Sequence, residues 1–79
     1  MAIQRFYLTY SQEKIKEPII YSVGKKFRVT TNIRTASVSD HIGIVGLELD
    51  GDQAEIDSAV EWIAGQGVKV EPIEKNVIE

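Results

Sequence analysis

The chain has 79 residues, of which 43% are hydrophobic and 27% are charged, and it contains no cysteine. This composition is typical of a globular protein and argues against disorder, while the missing thiols exclude a disulfide framework and a thiolate metal site. A domain this small buries only about 60% of the surface that its unfolded chain exposes. We therefore expect self-association to add to its stability.

The charge and hydropathy patterns exclude two classes of partner. The net charge is -3, and the nine basic residues are scattered, so no basic stripe is available for a phosphate backbone. No apolar run approaches the roughly 18 residues that a membrane span needs, and no basic segment followed by an apolar stretch opens the chain. We expect a cytoplasmic protein that neither binds nucleic acid nor inserts into a membrane.

The N-terminal part of the chain predicts a strand and then a helix. Phe6, Leu8 and Tyr10 alternate with more polar residues, as in a strand with one buried face. Pro18 suits the first turn of a helix, where its missing amide hydrogen costs nothing. Apolar residues then recur at helical spacing as far as Phe27.

Alternation returns at Val29 and predicts two neighbouring strands joined by a turn over residues 37–41. The inward sets are Val29, Thr31 and Ile33 in the first of these strands and Val45, Leu47 and Leu49 in the second. The outward sets are Thr30, Asn32 and Arg34, and Ile44, Gly46 and Glu48. Side chains alternate between the two faces of a sheet, so the pattern gives the two strands one buried side and one open side.

The C-terminal part predicts a second helix and a short last strand. Asp52 and Glu55 have the spacing of a capping box, and Ile56, Ala59, Val60 and Ile63 follow at i, i+3, i+4 and i+7. Gly67 suits a left-handed helix end. Val68 and Val70 then form a strand that Pro72 closes.

The element order predicts an α+β fold of the ferredoxin-like βαββαβ type. Right-handed crossovers place both helices on one face of a four-stranded antiparallel sheet, with the first and third strands in the centre. We expect one domain over residues 1–79, with its core at about 3–72 and a tail at 73–79. The uncovered face carries Arg5, Tyr7, Thr9, Asn32, Arg34, Ile44, Gly46 and Glu48.

Few residues of the chain indicate a catalytic, metal or nucleic-acid site. Tyr7 stands alone, whereas RNA-recognition domains of this topology stack bases on several aromatics, and metal chaperones of this topology need paired cysteines. His41 lies in a predicted turn without a nucleophile or carboxylate at a catalytic spacing, so we expect no enzyme. Trp62 lies at the margin of the second helix's apolar stripe, which indicates the core edge or, alternatively, a partner interface.

Asn32 and Arg34 are the candidate ligand contacts. A strand-centre asparagine is disfavoured intrinsically, yet its amide both donates and accepts hydrogen bonds, as the ammonium and carboxylate of an amino acid require. Arg34 on the same face can bind a carboxylate bidentately. The alternatives are a solvated strand residue for Asn32 and a surface salt bridge, for instance with Glu48, for Arg34.

These residues resemble the signature of the NIL domain family, named for an Asn-Ile-Leu motif that here is Asn32-Ile33-Arg34. Similarity extends over residues 17–20, 27–29, 42–45, 48–51, 61–63 and 67–70. The family occurs at the C-terminus of bacterial methionine-importer ATPases, where a pair of domains binds methionine and inhibits transport. It also precedes iron-sulfur ferredoxin domains in proteins associated with homocysteine formation and sulfur assimilation. The chain is more similar to this second group at residues 16–21, 32–34 and 70–74.

The resemblance implies Asn32 as a ligand contact and Gly43 and Ile44 as its neighbours, with Gly43 permitting close backbone approach. Arg34 replaces the leucine of the signature, so a pocket for a thioether is altered. Without cysteines the chain cannot hold an iron-sulfur cluster, and we expect no cofactor.

Two functions follow from the resemblance and the open face. The first is a stand-alone, dimeric regulatory or sensor domain that binds methionine or a related sulfur amino acid through Asn32, Arg34, Gly43 and Ile44. The second is a protein-interaction subunit that docks an iron-sulfur ferredoxin or a homocysteine-forming enzyme without binding a metabolite.

Overall fold

The computed structural model describes residues 2–73. Its elements are β1 (Ala2–Ser11), a single 3-10 turn (Lys14–Lys16), α1 (Ile19–Lys26), β2 (Val29–Val38), β3 (Ile42–Gly51), α2 (Gln53–Gly65) and β4 (Lys69–Pro72). The four strands form one antiparallel sheet in the order β2-β3-β1-β4. The predicted α+β, ferredoxin-like arrangement with β1 and β3 in the centre is thus confirmed. Of the predicted tail, only Ile73 lies within the described residues, and its N–H donates to the Arg5 carbonyl at 2.9 Å.

The core lies between the sheet and the two helices. Leu8 and Leu47, at the centre of the sheet, are fully buried against Ile56 and Ile63 of α2 and Val23 of α1. For Leu8 and Leu47, the alternation along their strands predicts this inward orientation. Burial of Tyr10 on the same side raises the pKa of its phenol to about 12. The helices therefore cover one face of the sheet, as predicted.

The helix layer covers only the first part of β2. Val29 is buried and Thr31 is half-buried, but Ile33 is 54% exposed although it lies directly opposite the buried Leu47. The expectation that Ile33 is buried is therefore wrong. The reason is the length of α1, which has eight residues and packs over the start of the strand.

The β2–β3 hairpin is longer than the sequence predicts. The predicted turn over residues 37–41 is wrong at its first two positions, because β2 continues through Val38 and the turn is confined to residues 39–41. Ser39 stabilises this tight turn through a backbone bond to the Ile42 carbonyl at 2.9 Å and through its hydroxyl. His41 is an exposed residue of the turn.

The helix ends differ from two local predictions. Pro18 precedes α1 as its N-cap instead of entering the first turn. Asp52 is the N-cap of α2 but makes no side-chain capping bond, and the Glu55 carboxylate accepts the backbone N–H of Arg28 at 2.8 Å. The predicted capping box is therefore replaced by a contact that ties α2 to the start of β2. Gly67 has φ 89°, so the left-handed end of α2 is confirmed.

Trp62 lies at the edge of the core. Its ring makes an edge-to-face contact with Phe27 at 6.3 Å between centroids, and the Lys26 ammonium lies 5.8 Å from its centroid. This packing confirms the prediction of a core-edge position. Within residues 2–73, no helix has the length and apolar character needed to cross a membrane.

Candidate functional site

The face of the sheet opposite the helices forms an ordered grid of side chains. Directly paired residues of antiparallel strands project to the same face, so the register defines rows that run across the strands. Three successive rows, each given from β2 through β3 to β1, are Asn32-Glu48-Arg5, Thr35-Gly46-Tyr7 and Ser37-Ile44-Thr9. Successive rows lie about 7 Å apart along the strands. Of the predicted contacts, Asn32 and Ile44 both belong to this open face, two rows apart.

The first row contains an ion pair. Arg5 Nε donates to Glu48 Oε2 at 2.9 Å, and the Glu48 side chain is only 16% exposed. The hydrogen bond from Arg5 lowers the pKa of the Glu48 carboxyl, and Asn32 and the charge of Arg34 add smaller contributions in the same direction. Glu48 is therefore an ionised, oriented acceptor in the middle of the row.

Arg34 lies at an irregularity of β2. The register shifts between Ile33 and Thr35, which leaves Arg34 as the extra residue of a β-bulge. Glu48 forms its ion pair with Arg5, and Arg34 makes none with any side chain of residues 2–73. The alternative of a Glu48 salt bridge for Arg34 is therefore wrong, and its exposed guanidinium lies close enough to affect the titration of Glu48.

The second row has little room above its glycine. A Cβ on Gly46 would lie 2.6 Å from Thr35 Oγ1 and 3.7 Å from Tyr7 Cε1. These two side chains therefore close over the glycine and form the floor between the first row and Ile44. Tyr7 and Ile44 are 46% and 41% exposed, so this floor offers apolar surface beside the polar row.

Gly43 and Ile44 lie on opposite faces of the sheet. A Cβ on Gly43 would contact Ile15 Cγ1 at 3.4 Å and Tyr10 Cβ at 3.7 Å, so this glycine faces the helix side beneath the 3-10 turn. The alternation that sends Val45 inward already assigns Gly43 to that side. The structure thus brings together Asn32 and Arg34 around Glu48, leaves Ile44 two rows away, and separates Gly43 from all three.

Arg5 and Glu48 join the site although their sequence pattern predicts no binding role for them. Alternation placed both on the open face, but their contact joins residues 43 positions apart. Only the pairing of β1 with β3 makes them neighbours.

A depression of the described chain lies away from the open face. It has a volume of about 450 Å³ and opens at the end of the sheet between α1, the start of β2 and the end of β3. Phe27, Arg28, Asp50 and Asp52 are among the residues that line it, whereas Asn32, Arg34 and Glu48 are not. Across residues 2–73, no three His, Asp or Glu side chains are grouped as metal ligands.

Comparison with known proteins defines the family. No curated protein sequence matches the chain significantly. Among solved structures, the fold is similar to the C-terminal domain of an ABC transporter ATP-binding protein from Enterococcus faecalis, with a TM-score of 0.78 and 22% identity over 92% of this chain and 86% of that one. The family model of the NIL domain matches residues 4–72. The chain therefore belongs to the NIL domain family.

Proposed function

We propose that this NIL domain is a regulatory domain that binds methionine or a related sulfur amino acid on its open sheet face, without catalysing a reaction. The observation that carries the proposal is the polar row of Asn32, Glu48 and Arg5 with Arg34 beside it. A ligand amino acid needs donors for its carboxylate and acceptors for its ammonium, and an asparagine amide supplies both. The exposed Arg34 adds a bidentate donor.

The apolar part of such a ligand has a surface to cover. The floor formed by Tyr7 and Thr35 leads from the polar row towards Ile44. Burial of an aliphatic or thioether side chain there contributes about 0.8 kcal/mol per methylene. Polar recognition at one end and apolar contact along the floor favour an amino acid with an extended, unbranched side chain.

Binding of the ligand should stabilise the folded domain. We expect methionine or homocysteine to raise the thermal unfolding temperature of the domain, because a ligand at a hundredfold excess over its Kd adds about 2.7 kcal/mol to the free energy of unfolding. Unrelated amino acids should have no effect. Differential scanning calorimetry with each amino acid at millimolar concentration measures the shift.

Asn32→Ala should remove most of this shift, since a hydrogen bond to a charged group contributes about 1.5–3 kcal/mol. Thr30→Ala is the matched control, because Thr30 lies two residues away on the same strand and face. No shift for the wild type, or an equal shift for Asn32→Ala, would refute the proposed site.

We further propose that the domain acts as a homodimer through its distal arm, defined as residues 33–44. The arm exposes apolar side chains on both faces of the sheet, with Ile33 and Val38 on the helix side and Ile42 and Ile44 on the open side. Its two formal charges, Arg34 and Asp40, cancel, so the arm itself adds no net charge to an interface between two copies. β2 is also an edge strand of the described sheet, whose outer backbone groups can pair with a second chain.

The dimer prediction concerns Val38, which is 61% exposed. We expect sedimentation equilibrium to give a dimer for the wild type and a monomer for Val38→Asp, because the interface would have to bury an unpaired carboxylate. Tyr21→Asp is the matched control, since Tyr21 is similarly exposed, at 67%, but lies on α1. A dimer that persists in Val38→Asp contradicts the arm as its interface.

The second candidate function, a subunit that docks an iron-sulfur or sulfur-transfer protein, is favoured by the same exposed arm. It predicts a monomer in isolation and no thermal shift with any amino acid. Affinity purification from the host should then recover a ferredoxin or a homocysteine-forming enzyme with the wild type, and Val38→Asp should lose it.

A further inference from the structure

We propose that Glu48 binds the ammonium group of the ligand, which restricts the site to compounds with a free α-amino group. The inference rests on the proposed function and adds to it a residue and a ligand class. It assigns Arg5 a positioning role, in which Arg5 orients the Glu48 carboxylate without touching the ligand.

The contacts of Glu48 support this role. Arg5 Nε donates to Glu48 Oε2 at 2.9 Å, and the side-chain amide of Asn32 is a second hydrogen-bonding neighbour of the carboxylate. An ionised carboxylate has about four lone-pair sites, so Glu48 can accept a further hydrogen bond from an ammonium group. Arg5 also fixes the carboxylate on the sheet surface, so a ligand meets an acceptor that loses little further rotamer freedom on binding.

The charges around Glu48 match a zwitterion. The cluster contains one carboxylate and two guanidinium groups, and only Arg5 has an ion-pair partner among residues 2–73. An amino acid can thus place its ammonium group at Glu48 and its carboxylate at Arg34. The amide of Asn32, which pairs with Glu48 and lies two residues before Arg34, is available to either group. The Arg5–Glu48 ion pair remains intact in this arrangement.

A pair of ligands tests the assignment. L-methionine and 3-(methylthio)propanoate have the same thioether chain and carboxylate, but the second lacks the ammonium group. We expect isothermal titration calorimetry to show methionine binding about 10- to 100-fold more tightly to the wild type, as is typical of a charge-assisted hydrogen bond. Glu48→Gln should weaken methionine binding by a similar factor without weakening the binding of the propanoate, because the substitution removes a negative charge near Arg34.

Asp50→Asn is the matched control, because it removes the same charge two residues along β3 on the same face. It should leave the preference for methionine intact. Equal affinity of the wild type for the two ligands overturns the role of Glu48, and so does an unchanged preference in Glu48→Gln, although both results leave the proposed function standing. Failure of methionine to bind the wild type overturns both proposals. The wild-type comparison is decisive even if Glu48→Gln does not fold, which far-UV circular dichroism checks.

Discussion

Replacing Leu47 with alanine is expected to lower the free energy of unfolding by about 2–5 kcal/mol, the range found for large-to-small changes in a packed core. Leu47 is fully buried in the core between the sheet and the helices. A domain of this size has a total stability of about 4–12 kcal/mol. Urea denaturation should therefore show a large shift of the midpoint, or no folded baseline at all.

Ile33→Ala supplies the control for this prediction. Ile33 lies directly opposite Leu47 and projects to the same side of the sheet, yet it is 54% exposed. Its truncation in the monomer should cost below about 1 kcal/mol, as for most surface changes. Equal losses for the two variants would show that the distal part of β2 is covered in solution, and the comparison is best made with Val38→Asp as the background.

The second large effect is expected at Gly51. A Cβ at this position would lie 2.7 Å from the carbonyl oxygen of Arg28 and 3.3 Å from Val29 Cγ1. The first of these atoms belongs to the backbone, so no side-chain rotation relieves the clash. Gly51 also pairs with both Ala2 and Val29, and we expect Gly51→Ala to cost about 1–3 kcal/mol, as overpacking generally does.

Gly65→Ala should increase the stability of the domain, opposite to the effect of Gly51→Ala. A Cβ there meets no atom within 4 Å, and the residue is an exposed position of α2. Alanine favours the helix over glycine by about 0.5–1 kcal/mol. The thermal unfolding temperature should therefore be lower for Gly51→Ala and higher for Gly65→Ala than for the wild type. A similar decrease for both variants would contradict the close contact at Gly51.

Several features of the domain follow from local pattern. Alternation in β1 and β3 separates Leu8 and Leu47 from Tyr7 and Glu48, because successive strand residues face opposite sides whatever packs on them. The 3.6-residue period identifies α2 for the same reason. The topology follows from the order of these elements and the right-handed crossover rule.

How much of each strand lies under the helices depends on the packing of the whole chain. Ile33 has the parity of a core residue, but only the length and position of α1 determine that it stays exposed. The bulge at Arg34 likewise depends on how β2 registers against β3. Glu55 illustrates the same point, since its carboxylate accepts the N–H of Arg28, from another part of the chain, and does not form the predicted capping box.

By itself, the sequence determined which side chains face the helices and which face away, because alternation and helical period are properties of the local backbone. It also determined the family, through motifs spread over residues 4–72. Only the tertiary structure decided that Arg5 joins Glu48 and that Ile15 covers Gly43. Contacts between distant residues depend on strand register and layer coverage, which are set when the whole chain packs.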